Sequence, residues 1–290
     1  MGPVANERAL AGQGYVRARS LSEAVAAMAG QGTHILCGGT DVYPALVGKP
    51  MPARLVDVSA VAEMRAIDVT GSAVRIGGAV TWTEIAAARL PPAFRALQQA
   101  ARQIGSIQVQ NRGTIAGNLC NASPAADGVP PLLVLDAEVE LASAGGVRRM
   151  RLADFITGYR KTALRPDEIL SSVLVPKTPD NACSAFVKLG ARKYLVISIV
   201  MVAALVRKDV SGAIAVARVA VGSASEKALR LDLLELDLGS LAKGRPPSSV
   251  LRAEHFANLK PIADGRATAE YRSQAAWQLV GDALDQAAEG

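Results

Sequence analysis

The stretch Gln110-Asn111-Arg112-Gly113-Thr114-Ile115-Ala116-Gly117-Asn118-Leu119-Cys120-Asn121-Ala122-Ser123-Pro124-Ala125-Ala126-Asp127 follows neither the period of about 3.6 of a helix nor the alternation of a strand. The irregular pattern runs from Gly105 to Pro131. It is rich in Gly, Asn, Ser and Pro, yet apolar at Ile115 and Leu119. A long irregular segment inside a compact domain is either functional or disordered, and apolar content argues against disorder. Its glycines remove side chains that would keep a ligand off the backbone, leaving N–H groups free to point at an anion. Thr114, Asn118 and Ser123 add neutral hydrogen-bonding groups at the same place. A binding loop is expected here.

A second glycine-bearing loop lies upstream, Leu36-Cys37-Gly38-Gly39-Thr40-Asp41-Val42, directly after a predicted short buried strand His34–Cys37. Neither loop core contains Lys or Arg, so a phosphate there would be held by amides and hydroxyls. That favours a pyrophosphate buried within a larger cofactor over a freely exchanging nucleotide. The usual nucleotide signatures are missing. No GxxxxGK[ST] occurs, and Ile35 stands where Gly30-Gln31-Gly32 would need its third glycine. A Rossmann or P-loop reading fails. Taken singly these residues are bland: Gly-Gly suits a plain strand-to-helix turn, and Asp127 a turn or cap. Lys188 and Arg192 alone would be solvated surface charges, and Cys37 and Cys120 small packing residues.

Around the loops, Ser20 and Glu23 form a capping-box pattern opening a helix through Met28, stopped by Gly30 and Gly32. The first twelve residues are expected to be loose. Strands are predicted at Leu55–Val58 and Ala73–Ile76. Thr81 and Glu84 open a helix to about Arg89, and Pro91-Pro92 restarts one carrying Phe94, Leu97, Ala101 and Ile104. Glu138–Ala142 and Val147–Leu152 flank Ser143-Ala144-Gly145-Gly146 as a hairpin, and Ile169–Val175 is a strand ended by Pro176. Pro176 to Cys183 reads as a linker, placing a boundary near residue 178. Beyond it come strands Ala185–Leu189, Ile199–Arg207 and Ile214–Val221. Helices follow from about Ser225, broken at Gly244-Arg245-Pro246-Pro247. A three-strand sheet followed by helices is an α+β domain.

Composition narrows the function. The 290 residues carry a net charge of +6 and only 4% aromatics, which does not make the basic, aromatic-lined stripe of a nucleic-acid binder. Cys37, Cys120 and Cys183 lie far apart, which disfavours a zinc knuckle, a redox CxxC or an iron–sulfur cluster held by this chain. An odd cysteine count without a signal peptide fits a reducing cytoplasm. The longest apolar run, Leu195 to Val206, is interrupted by Ser198 and falls short of the roughly 20 residues of a membrane span. His34 and His255 have no acidic partner nearby in sequence. No nucleophile–base pair is visible, so no residue is assigned a catalytic or metal-binding role.

The order of the two loops carries a resemblance. The chain resembles the FAD-binding medium subunit of the molybdenum hydroxylases, the xanthine dehydrogenase and carbon monoxide dehydrogenase family. The matching stretches are Cys37–Asp41, Gln110–Asp127, Asp167-Glu168-Ile169-Leu170, Lys188-Leu189-Gly190 and Asp264-Gly265-Arg266-Ala267-Thr268-Ala269-Glu270-Tyr271-Arg272. Together they reach from about residue 15 to about 285. The resemblance implies an α+β fold: a two-part FAD-binding module of the vanillyl-alcohol-oxidase (PCMH) type over 1–178, then a carbon-monoxide-dehydrogenase-flavoprotein-like domain over 179–290. It implies that Leu36, Cys37, Gly38, Gly39, Thr40, Asp41 and Val42, with Thr114, Ile115, Ala116, Gly117 and Asn118, bracket the FAD pyrophosphate. Ile104 would contact the cofactor and Asp127 would anchor a polar group beyond the second loop. Leu170 and Lys188 would lie beside the adenine or flavin portion. Ala116 departs from the glycine of many members. The Gly-Gly-Thr-Asp loop departs from the Gly-Gly-His-Ser type of the carbon monoxide enzymes, which shifts weight toward purine, N-heterocycle or aldehyde branches. Leu195 and Val196 replace acidic residues of the eukaryotic xanthine dehydrogenases, so acceptor preference does not transfer.

The function implied is that of an electron-transfer subunit. A large molybdopterin subunit would oxidise the substrate, and a small [2Fe–2S] subunit would pass electrons to this FAD for delivery to NAD or another acceptor. A dimer of heterotrimers is the assembly the family suggests, cytoplasmic and without a membrane span. One rival is a self-contained FAD-dependent oxidase, which usually needs a larger substrate domain and often a covalent histidine near the first loop; here His34 precedes that loop. Another is a docking scaffold with vestigial loops. Basic residues gather at Arg148, Arg149, Arg151, Arg160, Lys161 and Arg165, and at Lys188, Arg192 and Lys193, and some of that charge is expected to face flavin phosphates or a partner.

Overall fold

The computed structural model describes residues 14–29, 32–193 and 195–290; the expectations for the first twelve residues and for Gly30 lie outside them. The chain opens with β1 (Tyr15–Arg17), α1 (Leu21–Ala27), β2 (Thr33–Leu36), α2 (Val42–Ala45) and β3 (Arg54–Asp57). The three strands form a parallel sheet in the order β1-β3-β2. Ser20 caps α1 by accepting from the Glu23 N–H, while Glu23 reaches back to the Arg19 N–H rather than to the cap residue. β2 is an edge strand, so Leu36 alone is fully buried and His34 is exposed. The expected buried strand is therefore half-buried, because no strand among the described residues pairs with its outer side.

A five-stranded sheet follows, in the order β4 (Ile67–Val69), β5 (Ala73–Gly77), β10 (Ile169–Pro176), β6 (Glu138–Ser143) and β7 (Gly146–Arg151). Its first strands are β4 (Ile67–Val69) and β5 (Ala73–Gly77). The capping box Thr81–Glu84 then opens α3 (Trp82–Ala87), which ends two residues before the predicted Arg89. A 3-10 turn at Pro92–Phe94 leads into α4 (Arg95–Ala101), and Ile104 lies beyond its end. The segment expected to be irregular contains three short helices: α5 (Ile107–Gln110), α6 (Ile115–Asn121) and α7 (Val129–Val134). Four to seven residues are too few to reveal a helical period. What defines these turns is local: Ser106 and Thr114 cap α5 and α6, Ala122 ends α6 in the left-handed region at φ 45°, and prolines sit in the first turn of α7. The hairpin β6 (Glu138–Ser143) and β7 (Gly146–Arg151) has the expected position. The short helix α8 (Leu152–Phe155), the small pair β8 (Ile156–Gly158) and β9 (Lys161–Thr162), and the long β10 (Ile169–Pro176) complete this part.

The remaining sheet contains β11 (Cys183–Leu189), β12 (Val200–Lys208), β13 (Ile214–Gly222) and β14 (Leu229–Arg230), in that order and antiparallel. The fourth strand is only two residues long, too short to read in sequence. Helices α9 (Asp232–Leu238) and α10 (Ala269–Glu289) follow. The sheet is covered on both faces. Met201, Ala203 and Leu205 of β12 join the core formed with Leu132, Leu133 and Phe155, while Val200, Val202, Ala204 and Val206 pack with Leu279, Val280 and Leu284 of α10. That burial on both sides is why this strand reads as one continuous apolar run instead of alternating. No helix among the described residues is long and apolar enough to cross a membrane.

The segment before α10 is fixed by Asp264. Its carboxylate accepts from the Arg266 N–H at 2.9 Å, the Ala267 N–H at 3.3 Å and the Arg272 guanidinium at 2.7 Å. Burial pushes this carboxyl up, but the donors outweigh it and hold it at about 2. A carboxyl held below its unfolded value of about 3.9 stabilises the fold in full above that pH, and the contribution disappears as pH falls through about 2. The Tm difference between the natural chain and Asp264→Asn should therefore stay constant from pH 8 to about pH 5 and shrink below about pH 4. Melting curves across that range check it.

Candidate cofactor site

The first loop leaves β2 at Leu36 and turns at Gly38-Gly39, with Gly39 at φ 75°. The backbone N–H groups of Gly38, Gly39, Thr40 and Asp41 donate to no acceptor among the described residues. Gly38 is where the two loops meet: a Cβ there would lie 2.0 Å from the Arg112 carbonyl oxygen and 3.1 Å from Gly113 Cα. The close approach brings Thr40 beside Gly113, immediately before the second loop's first helical turn.

The second loop is organised differently. Thr114 bridges to Thr81, and the N–H groups at the start of α6 are all satisfied within the chain. Ile115 donates to the Val80 carbonyl at 3.0 Å, Ala116 to the Gly78 carbonyl at 3.1 Å, Gly117 to Thr114 Oγ1 at 3.2 Å and Asn118 to the Thr114 carbonyl at 3.0 Å. Both loops were expected to present free amides; only the first does, because the second uses its amides to pin α6 against the β5–α3 turn. What the second loop offers is side chains. Asn118 Oδ1 is buried without a partner, near the point where a Gly128 Cβ would fall. The Ala116 methyl is buried beside Gly78, whose missing side chain makes room for it, and Gly78 is pressed against the Leu170 carbonyl. This accommodates the departure at Ala116 and brings Leu170 to the same cluster. Burial pushes the Cys37 thiol up to about 11 despite its hydrogen bond with Thr114, and pushes Cys120 up to about 12. Both therefore stay protonated at neutral pH.

Beyond α6, Asp127 is 6% exposed and clamped from the last sheet. Lys188 Nζ donates to its Oδ2 at 2.6 Å and Ser198 Oγ to its Oδ1 at 2.5 Å, while Lys188 also donates to the Gln103 carbonyl at 3.1 Å. The structure thus gathers Asp127, Lys188 and the neighbourhood of Ile104. Lys188 is buried rather than solvated, with 5% of its side chain exposed. Burial raises the Asp127 carboxyl; Lys188 and Ser198 oppose that rise without cancelling it. Ser198, Gln103 and Gly78 were missed in sequence. Ser198 had a signal, being the polar interruption of the longest apolar run.

The basic groups are largely spent inside the chain. Arg148 makes two hydrogen bonds to Glu168, at 2.6 and 2.9 Å, and Arg149 bonds Glu140 at 2.9 Å. Arg160 donates to Asn121 Oδ1 at 2.6 Å, at the end of α6.

Four amides without acceptors, adjoining hydroxyls and the unpaired Asn118 oxygen suit a pyrophosphate bearing a polar chain, and no cation is needed to hold it. Gly117 is exposed, and a Cβ there would meet only Thr114 Oγ1, at 3.0 Å. Gly117→Val should therefore fold with a Tm within a few degrees of the natural chain while losing cofactor affinity by roughly tenfold or more. Melting and flavin titration of the same sample distinguish the two effects.

Residues 8–178 match the FAD binding domain in molybdopterin dehydrogenase. The chain is 38% identical over 183 residues to the nicotinate dehydrogenase FAD-subunit of Eubacterium barkeri, a match spanning 61% of this chain and 62% of that one. It is 32% identical over 267 residues to the xanthine dehydrogenase FAD-binding subunit of Escherichia coli O157:H7, covering 89% and 90% of the two chains. A solved chain of carbon monoxide dehydrogenase from Hydrogenophaga pseudoflava superposes with a TM-score of 0.85 at 28% identity, covering 94% of this chain and 96% of that one.

Proposed function

Because the chain belongs to the FAD-binding family of the molybdopterin dehydrogenases, and is an oxidoreductase flavin subunit of that class, we propose that it relays electrons within a heteromeric molybdenum hydroxylase. It takes them from [2Fe–2S] clusters on a small partner subunit and passes them to NAD or another acceptor. The substrate, a purine, N-heterocycle or aldehyde, is oxidised on a large molybdopterin subunit. The names of the nicotinate and xanthine dehydrogenase relatives favour the first two classes. Bound FAD supplies the exchange between paired and single electrons. This chain's part is to hold and orient it. The assembly is a dimer of heterotrimers working in the cytoplasm.

The observation that carries this reading is the row of four N–H groups from Gly38 to Asp41, on a loop seated against the second motif. In it the amides of Gly38, Gly39, Thr40 and Asp41 hold the pyrophosphate between Leu36, Cys37 and Val42 on one side and Thr114, Ile115, Ala116, Gly117 and Asn118 on the other. Ile104, Asp127, Leu170 and Lys188 line the remainder. Residues 1–178 form the FAD unit and 179–290 the domain that closes on it. The test is copurification with partner chains, followed by metal and flavin analysis and substrate reduction. Molybdenum, iron and FAD should copurify, and a purine or N-heterocycle should reduce the flavin only in the complex. Turnover of an organic substrate by the isolated chain would instead establish the self-contained oxidase.

A further inference from the structure

The motif Asp264 to Arg272 runs into the first turn of α10. Arg272 is 2% exposed. Its Nη1 donates to the carbonyls of Ile199, at 2.5 Å, and Ser223, at 3.0 Å, while Nη2 is held by Asp264 at 2.7 Å. The Ser223 carbonyl belongs to a residue that bonds the second loop, and the Ile199 carbonyl to the neighbour of one. Ile199 follows Ser198, whose hydroxyl bonds Asp127. Ser223, in the left-handed region at φ 61°, donates its N–H to the Pro124 carbonyl at 3.0 Å. One guanidinium thus ties together the entry of β12 and the exit of β13, two of the points, with Lys188 of β11, from which the last sheet grips residues 124–127. Its Nε is buried without a partner, a cost that a residue serving only to fill space would not carry.

We propose that Arg272, oriented by Asp264, is a positioning residue for the cofactor: it sets Ser198 and Ser223 so that the C-terminal domain holds Asp127 and Pro124 in the FAD-binding geometry. The proposal rests on the cofactor reading above. Arg272 acts through Ser198, so its loss and the loss of the Ser198 hydroxyl remove the same restraint.

The test is flavin titration of the full chain, comparing Arg272→Lys, Ser198→Ala and the double variant, each with its Tm. Arg272→Lys and Ser198→Ala should each weaken FAD binding by about tenfold, and the double variant by no more than the weaker-binding single. Ala276→Gly, a substitution in the buried face of the same helix whose side chain has no donor for either carbonyl, should lower Tm and leave FAD affinity unchanged. If Arg272→Lys does not fold, Asp264→Asn takes its place in the cycle. FAD binding of Arg272→Lys as tight as the natural chain's overturns the proposal, as do multiplicative effects in the double variant. An Ala276→Gly loss of affinity in proportion to its Tm also overturns it, by reducing the effect to stability. If the natural chain itself binds no FAD, it is the cofactor reading that fails, and the role of Arg272 falls with it.

Discussion

Gly38→Ala is expected to abolish FAD binding and to destabilise the fold by about 3 kcal/mol, the upper range of overpacking. The added methyl would sit 2.0 Å from the Arg112 carbonyl oxygen, and a backbone atom cannot rotate aside as a side-chain end can. Relief requires the two loops to separate, which displaces the amide row from Gly38 to Asp41 relative to Thr114 and Asn118. Stability and cofactor loss therefore travel together at this position, in contrast to Gly117→Val, where the position is exposed and a Cβ meets no backbone atom. Thermal unfolding and flavin content of the two variants, measured side by side, check the contrast. A Gly38→Ala chain that retains full FAD content would show that the loops need not touch.

Lys188→Met should cost roughly 3–5 kcal/mol, because it leaves Asp127 buried with its main counter-charge removed. The loss should depend on pH in a definite direction. Burial already lifts the Asp127 carboxyl, and without Lys188 it rises further. A carboxyl raised above its unfolded value is no burden below that value, where it is protonated in both states; the penalty grows as pH rises toward the folded value. The deficit of Lys188→Met should thus be larger at pH 8 than at pH 5, as urea unfolding at the two pH values will report. Adding Asp127→Leu should restore most of the stability, since an apolar pair removes the uncompensated charge. A deficit independent of pH would mean that Asp127 is not the group left exposed to burial.

The parts of the fold legible in sequence were those whose signals are local and repeated: the capping residues Ser20 and Thr81, the Ser143–Gly146 hairpin, and the apolar strands after Pro176. The helices α5, α6 and α7 were hidden because one or two turns do not establish a period. In the site, the glycine loops stood out, and their order carried the family. What sequence could not show was which amides remain free. At Ile115 and Ala116 the acceptors come from Val80 and Gly78, some 35 residues or more away. Nor could it show that Lys188 is buried, since its partner Asp127 lies 61 positions upstream across the linker. Ser198 read as an interruption of an apolar strand; its meaning depends on a contact that only the closed fold creates.

The most direct measurement is titration of the purified, flavin-stripped full chain with FAD, followed by absorbance and by flavin extraction from the re-isolated protein. The account predicts saturation at one FAD per chain and a flavin spectrum perturbed by the protein, with Gly117→Val binding FAD roughly tenfold or more weakly under the same conditions. A folded natural chain that takes up no FAD, or that binds it equally well as Gly117→Val, would contradict it.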